Sequence, residues 1–290
     1  TLQDVSSPIV PPYNRLPQLA TRYLRADLQG FDMSLEADYT RFDADQRLTL
    51  QPNAHRGFAA VQLSRPWLLP GGFVTPKFQL HGTGYQFDAA LPGGAASASS
   101  ASRLVPTLSI DSGLVFERDT QLWGRGLRQT LEPRAFYVNT PYRDQSDLPN
   151  YDTGFNDFNF ATIFTENAFS GQDRISDSRT LTVGATSRLI NPETGGEGAK
   201  FALAQRFRFK DQKVLLTPTD TPLTDSYSDI LLGASTYLTP RWALDSIVQY
   251  NPEKAISERS SVGTRYNPSS YRVITASYRY QRSVSPGKAQ

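Results

Sequence analysis

The sequence predicts an all-β fold, an antiparallel transmembrane β-barrel, on three observations. Polarity alternates with period two from end to end, the alternating segments run about ten residues or more, and the turns between them are short and long by turns. Soluble strands are usually about five or six residues long. A tilted strand that crosses a bilayer needs about nine to eleven.

The first clear strand is Phe31–Phe42, FDMSLEADYTRF. Phe31, Met33, Leu35, Ala37 and Tyr39 fall on one face, with Asp32, Ser34, Glu36, Asp38 and Thr40 on the other. In Arg103–Glu117 the apolar face is Leu104, Pro106, Leu108, Ile110, Leu114 and Phe116. Phe201 and Leu203 oppose Lys200, Arg206 and Arg208, and Trp242, Leu244, Val248 and Tyr250 oppose Asp245 and Gln249. Aromatic residues close several of these faces, as two interfacial girdles would. About twelve strands are expected, near 19–28, 31–41, 56–67, 73–87, 103–117, 127–139, 179–190, 200–213, 226–238, 241–251, 258–266 and 271–281.

Turns test this order, because barrels of this class have short periplasmic turns and longer outer loops. Gln29–Gly30, LPGG at 69–72, LTPR at 238–241 and NPSS at 267–270 are tight, whereas 43–54, 89–102 and 214–225 are long. Short and long sides alternate only if 140–178 is a single long-side connection, so FNDFNFATIF at 155–164 is not a strand. Loops of that length are usually functional.

Composition narrows the chemistry. Lys and Arg total 30 against 28 Asp and Glu, and the bases are scattered, so no nucleic-acid partner is expected. The chain has no Cys, which removes disulfides and thiolate chemistry, and its two His are too few for most zinc sites. No apolar run is long enough for a transmembrane helix. His81 sits beside Gln79 and Thr83 on a polar face, with no Ser and carboxylate set out for a triad. The acids at 144, 147, 152 and 157 lack the order of a calcium loop. No catalytic residue, metal site or cofactor is expected, and the protein is not read as an enzyme. The polar strand face, with Glu132, Arg134, Arg188, Arg206 and Arg208, is read as the wall of a wet lumen.

LEPRAFYVNTPYRDQSDLPNYD at 131–152, FSGQDRI at 169–175 and TVGATSRL at 182–189 resemble the barrel of the LptD family, the lipopolysaccharide-assembly proteins of the Gram-negative outer membrane. Weaker similarity extends over most of the chain. The resemblance implies a very large barrel with an LptE-like plug lipoprotein in its lumen. It also implies a preceding periplasmic jellyroll that meets an LptA-like bridge protein, and lipopolysaccharide as the transported substrate, inserted into the outer leaflet. A porin-like passive solute channel is the alternative. The family's jellyroll, closing strands and paired cysteines are not found here, so residues 1–290 read as part of one barrel domain of a longer protein. The resemblance further implies that the long loop folds inward, where Tyr142, Arg143, Asp144, Gln145, Asp147, Tyr151 and Asp152 contact the plug or pin the loop in the lumen. The other reading is a self-contained motif, with Arg143 and Asp144 bonded to the loop's own backbone.

Overall fold

A computed structural model describes residues 13–44, 52–88, 99–122, 124–217 and 220–282. They form one antiparallel sheet. Its strands are β1 (Asn14–Leu28), β2 (Phe31–Asp43), β3 (Ala54–Ser64), β4 (Trp67–Leu69), β5 (Gly72–Phe87), β6 (Ser100–Leu114) and β7 (Phe116–Leu122). They continue with β8 (Arg125–Thr140), β9 (Ser178–Ile190), β10 (Glu197–Arg208), β11 (Ile230–Thr239), β12 (Trp242–Asn251), β13 (Ile256–Ser269) and β14 (Arg272–Gln281). β4 resumes the β3 arm and pairs with β5, and β7 resumes the β6 arm and pairs with β8. The other twelve pair in sequence order, so twelve staves make the wall, as the alternation predicts. Among the described residues β1 and β14 each pair on one side only.

Register assigns every side chain to one face. Leu35 pairs with Val61, Val61 with Leu80 and Leu80 with Pro106, which aligns one apolar row across β2, β3, β5 and β6. These residues and Leu63, Phe78, Leu104, Leu108 and Ile110 form an outward band. Arg25, whose charge suggests the polar face, pairs opposite Met33 and lies on the outward one. A band this apolar suits hydrocarbon, and a cation in it is expensive. Leu108→Arg, in mid-strand, is expected to cost about 2–4 kcal/mol of folding stability in lipid vesicles. A urea titration of the refolded full-length protein measures it.

Several boundaries differ from the sequence reading, and β1 begins at Asn14 rather than near 19. β10 stops at Arg208, because the following backbone leaves the sheet to meet a carboxylate. The N–H of Lys213 lies 2.9 Å from Asp177 Oδ1, and that of Val214 at 2.8 Å. β11 correspondingly begins at Ile230, and β13 runs on to Ser269.

The connection between β8 and β9, residues 141–177, contains no strand, only an isolated bridge between Phe155 and Phe169. It folds against the inner face. Apolar residues accumulate there, on the side that alternation reserves for polar ones. Phe42, Ala54, Tyr85 and Phe87 from the wall bury Leu148 and Tyr151 from the loop, while Ala204 and Leu231 bury Ile163. The core of this molecule lies between wall and loop.

Candidate functional site: a loop clasped to the inner wall

The loop is held at two levels. The upper clasp centres on Arg56 of β3, which is 1% exposed. Its Nη1 lies 2.7 Å from Asp152 Oδ2 and 2.8 Å from Asp173 Oδ1, and its Nη2 lies 3.3 Å from Asp38 Oδ1. Two of these acids come from the loop and one from β2. Asp173 is fully buried and saturated with donors. Tyr85 Oη donates to its Oδ1 at 2.6 Å, and the backbone N–H groups of Tyr151 and Asp152 donate to its Oδ2 at 2.7 and 2.8 Å. A buried carboxylate needs such partners to remain charged.

Burial presses on both loop carboxyls, but they respond in opposite directions. Asp173 is held below the ordinary carboxylate range, because the Arg56 charge and its donors outweigh burial. Asp152 is pushed above it by burial and by the neighbouring Asp173 charge.

Arg103 of β6 ties the loop a second time. Its guanidinium bonds Gln145 Oε1 and the carbonyls of Gln172 and Asp173, and reaches Thr83 Oγ1 at 3.1 Å. Gln145 Nε2 donates to Ile175 O at 2.8 Å. Arg174 donates to Leu148 O and Pro149 O at 2.6 and 3.0 Å, so the two arms of the loop are cross-tied. The rings of Phe42 and Tyr151 stack at 4.1 Å, and Arg56 lies over Phe42.

The lower level is the tip, residues 158–166. Arg206 of β10 donates to Ile163 O, and Thr182 Oγ1 donates to the same oxygen at 3.1 Å. The Phe164 ring lies 4.3 Å from the Arg134 guanidinium carbon, and Glu166 pairs with Lys77 at 2.7 Å. Phe160 and Phe164 fit over Gly233 and Gly184, where a Cβ would stand 2.9 and 3.0 Å from the rings. Arg134 is six residues from the end of β8, so the loop descends about 20 Å along the wall. Ile163 is completely buried. Ile163→Ala is expected to loosen the tip by about 2–5 kcal/mol, read as faster hydrogen exchange at 158–166 with 145 and 173 unchanged.

The predicted residues divide accordingly. Gln145, Tyr151 and Asp152 face the wall. Tyr142, Arg143, Asp144 and Asp147 are exposed. Asp144 accepts from the Ser146 N–H and hydroxyl at 3.0 and 2.8 Å, which hold its carboxyl below the usual range, and Arg143 donates to Tyr142 O at 3.5 Å. All five wall residues lie on the inner face. Glu132 pairs with Arg188 at 2.6 Å, while Arg134 forks onto Asp111 at 2.8 and 2.6 Å. Arg206 serves the loop tip, and Arg208 donates to Asp225 O at 3.3 Å. Below the tip lies a cavity of about 510 Å³, lined by Phe73, Phe160, Phe164, Arg188, Lys200 and Ile247 among others.

Arg56, Tyr85, Arg103 and Asp173 are missing from the sequence reading, which placed Asp38 only on the polar strand face. The available signal was an arginine amid AHRGFAAV and another in SASRLVPTL, each on an inner face that is otherwise apolar or uncharged.

A long antiparallel wall, apolar outside and carrying an inward-clasped loop, defines the class as an outer-membrane-type β-barrel. The profile of the LptD family, described as LPS transport system D, matches residues 1–290. The chain belongs to that family. It is 61% identical over 285 residues to the LPS-assembly protein LptD of Albidiferax ferrireducens and 62% identical over 291 residues to that of a Polaromonas species. Each match covers 98% of this chain and 35% of the relative. The Burkholderia thailandensis protein is 45% identical over 277 residues, 95% of this chain and 35% of its own length. The chain thus spans about a third of the length of the curated relatives it matches.

Proposed function

We propose that this chain is the central wall of an outer-membrane translocon that inserts lipopolysaccharide into the outer leaflet, in a Gram-negative cell. The observation that carries the reading is a family match over the whole chain, whose relatives are named LPS-assembly proteins. The inward loop supports it. A lumen wide enough for a glycolipid needs filling, and a clasped loop fills it with its polar groups satisfied. Transport through such a wall breaks no bond, so energy comes from elsewhere.

The exposed loop face, with Tyr142, Arg143, Asp144 and Asp147, is the surface offered to an LptE-like plug lipoprotein. Gln145, Tyr151 and Asp152 act by pinning the loop so that this face is presented. An LptA-like bridge protein meets the periplasmic part of the full-length protein. A passive solute channel has no need of these two levels of fixation.

The test places a photo-cross-linking residue at Ile247, which faces the inner cavity, in the full-length protein in living cells. Capture of lipopolysaccharide is expected, with none from the outward control position Val248 when transport is stopped. A correctly assembled protein that captures none at Ile247 while lipopolysaccharide still reaches the surface contradicts the reading.

A further inference from the structure

The outward band is not uniformly filled. Across β3, β5 and β6 it carries large residues such as Leu63, Phe78, Leu80 and Leu108. Across β8–β12 two neighbouring rows differ in size. The row Ala185–Leu203–Leu232–Val248 is mostly bulky, whereas the row Leu131–Ser187–Phe201–Ala234–Ser246 has small residues at 187, 234 and 246. The small positions leave a groove of about 460 Å³ on the outer surface, the size of a small-molecule site. No charged side chain lines it. Phe201, Leu203 and Leu232 flank it and are about half exposed.

One end of the groove is polar. Ser187, on its floor, accepts a hydrogen bond from Gln129 Nε2 at 3.2 Å. Gln129 Oε1 in turn accepts from Arg118 Nε and Nη2 at 2.9 and 2.7 Å. Arg118 and Gln129 pair across β7 and β8, directly below the Phe116–Leu131 pair, toward the end of the wall where Leu122 pairs with Arg125. That end is the one that carries the Gln29–Gly30 turn, the short-turn side, which is periplasmic in barrels of this class. An outward, exposed arginine at this height sits where the headgroups of the inner leaflet begin, and a guanidinium is suited to a phosphate.

We propose that this groove binds one glycerophospholipid of the inner leaflet, with an acyl chain lying over Ser187, Ala234 and Ser246 and the phosphate on Arg118. Continuity with the lipid-facing band and the cation at the groove's foot select this occupant. A second protein would require a broad polar rim, and a polar ligand would leave the flanking Phe201, Leu203 and Leu232 unmatched. The site is separate from the inner face, so it holds whether or not the transport reading does.

The test uses the full-length protein with its partner in nanodiscs, doped with a phosphatidylethanolamine that carries a diazirine in its acyl chain. After illumination, adducts are expected to concentrate several-fold on 185–187, 201–203, 232–234 and 246–248, relative to Leu63, Phe78 and Leu108. Ala234→Phe, which fills the groove, is expected to abolish that excess and leave the other positions unchanged. Arg118→Gln is expected to lower it while the barrel still shows heat-modifiable migration, so the test stands even if the first variant fails to fold. Even labelling around the band overturns the proposal. So does labelling of the groove by a lipid A-type glycolipid probe and not by the phospholipid.

Discussion

Replacement of Arg56 by Met releases residues 141–177 from the wall while the strands stay paired. The side chain is buried between three carboxylates, and its removal leaves Asp38, Asp152 and Asp173 facing one another without a cation. Breaking a buried ion pair from one side costs about 3–5 kcal/mol, because the remaining charge is stranded. The partners are not equivalent. Asp173→Asn is expected to be nearly as severe, since Asp173 also accepts from Tyr85 and two backbone N–H groups. Asp152→Asn is expected to be mild, because it relieves an excess of negative charge. Limited proteolysis of the loop in the assembled full-length protein ranks the three.

The same pair fixes the sign of the pH dependence. Asp152 has its carboxyl raised in the docked loop, so its contribution is fully present below the ordinary carboxylate value and fades as pH rises through the raised one. Asp173 has its carboxyl lowered, so its contribution is present above the ordinary value and is lost as pH falls through the lowered one. Docking is therefore expected to tighten on mild acidification from neutrality and to fail only in strong acid. Asp152→Asn should remove the first effect and leave the second.

The second large effect is steric. Gly171 holds φ at +73°, and a Cβ there would stand 2.3 Å from Asp152 O and 2.7 Å from its carbonyl carbon. Gly171→Val pays the left-handed penalty of about 1–2 kcal/mol and also drives the 152 and 172 arms apart. The hydrogen bond from Gln172 N to Asp152 Oδ1, at 2.9 Å, cannot survive that displacement. Loss of loop protection comparable to that of Arg56→Met is expected. Gly124 provides the comparison: φ is +74°, but no atom lies within 4 Å of a built Cβ. Gly124→Ala is expected to bear the backbone penalty alone.

The staves were legible because alternation and turn length are local signals. Phe31–Tyr39 and Leu104–Ile110 show their faces without reference to anything distant, and parity of the turns isolates 140–178 as one loop. What alternation could not show is that the inner face turns apolar near the long loops. Phe42, Tyr85 and Phe87 continue the strands yet point inward, because a loop about 60 or 100 residues away in sequence covers them. Arg56 and Arg103 were illegible for the same reason. A lone arginine on a strand announces neither its burial nor its partner. The loop motif was partly legible: residues 142–152 hold both faces of the loop, but only distant contacts separate Gln145, Tyr151 and Asp152 from Tyr142, Arg143, Asp144 and Asp147.

The most direct measurement places a photo-cross-linking residue at Tyr142 and, separately, at Tyr151 in the full-length protein in living cells. A clasped inward loop predicts that Tyr142 captures a small lipoprotein. Tyr151, which is 6% exposed and whose hydroxyl donates to Pro52 O at 2.7 Å, should form adducts only within its own chain. Capture of the lipoprotein at Tyr151 but not at Tyr142, or labelling of both positions by a reagent that cannot cross the outer membrane, would contradict the account.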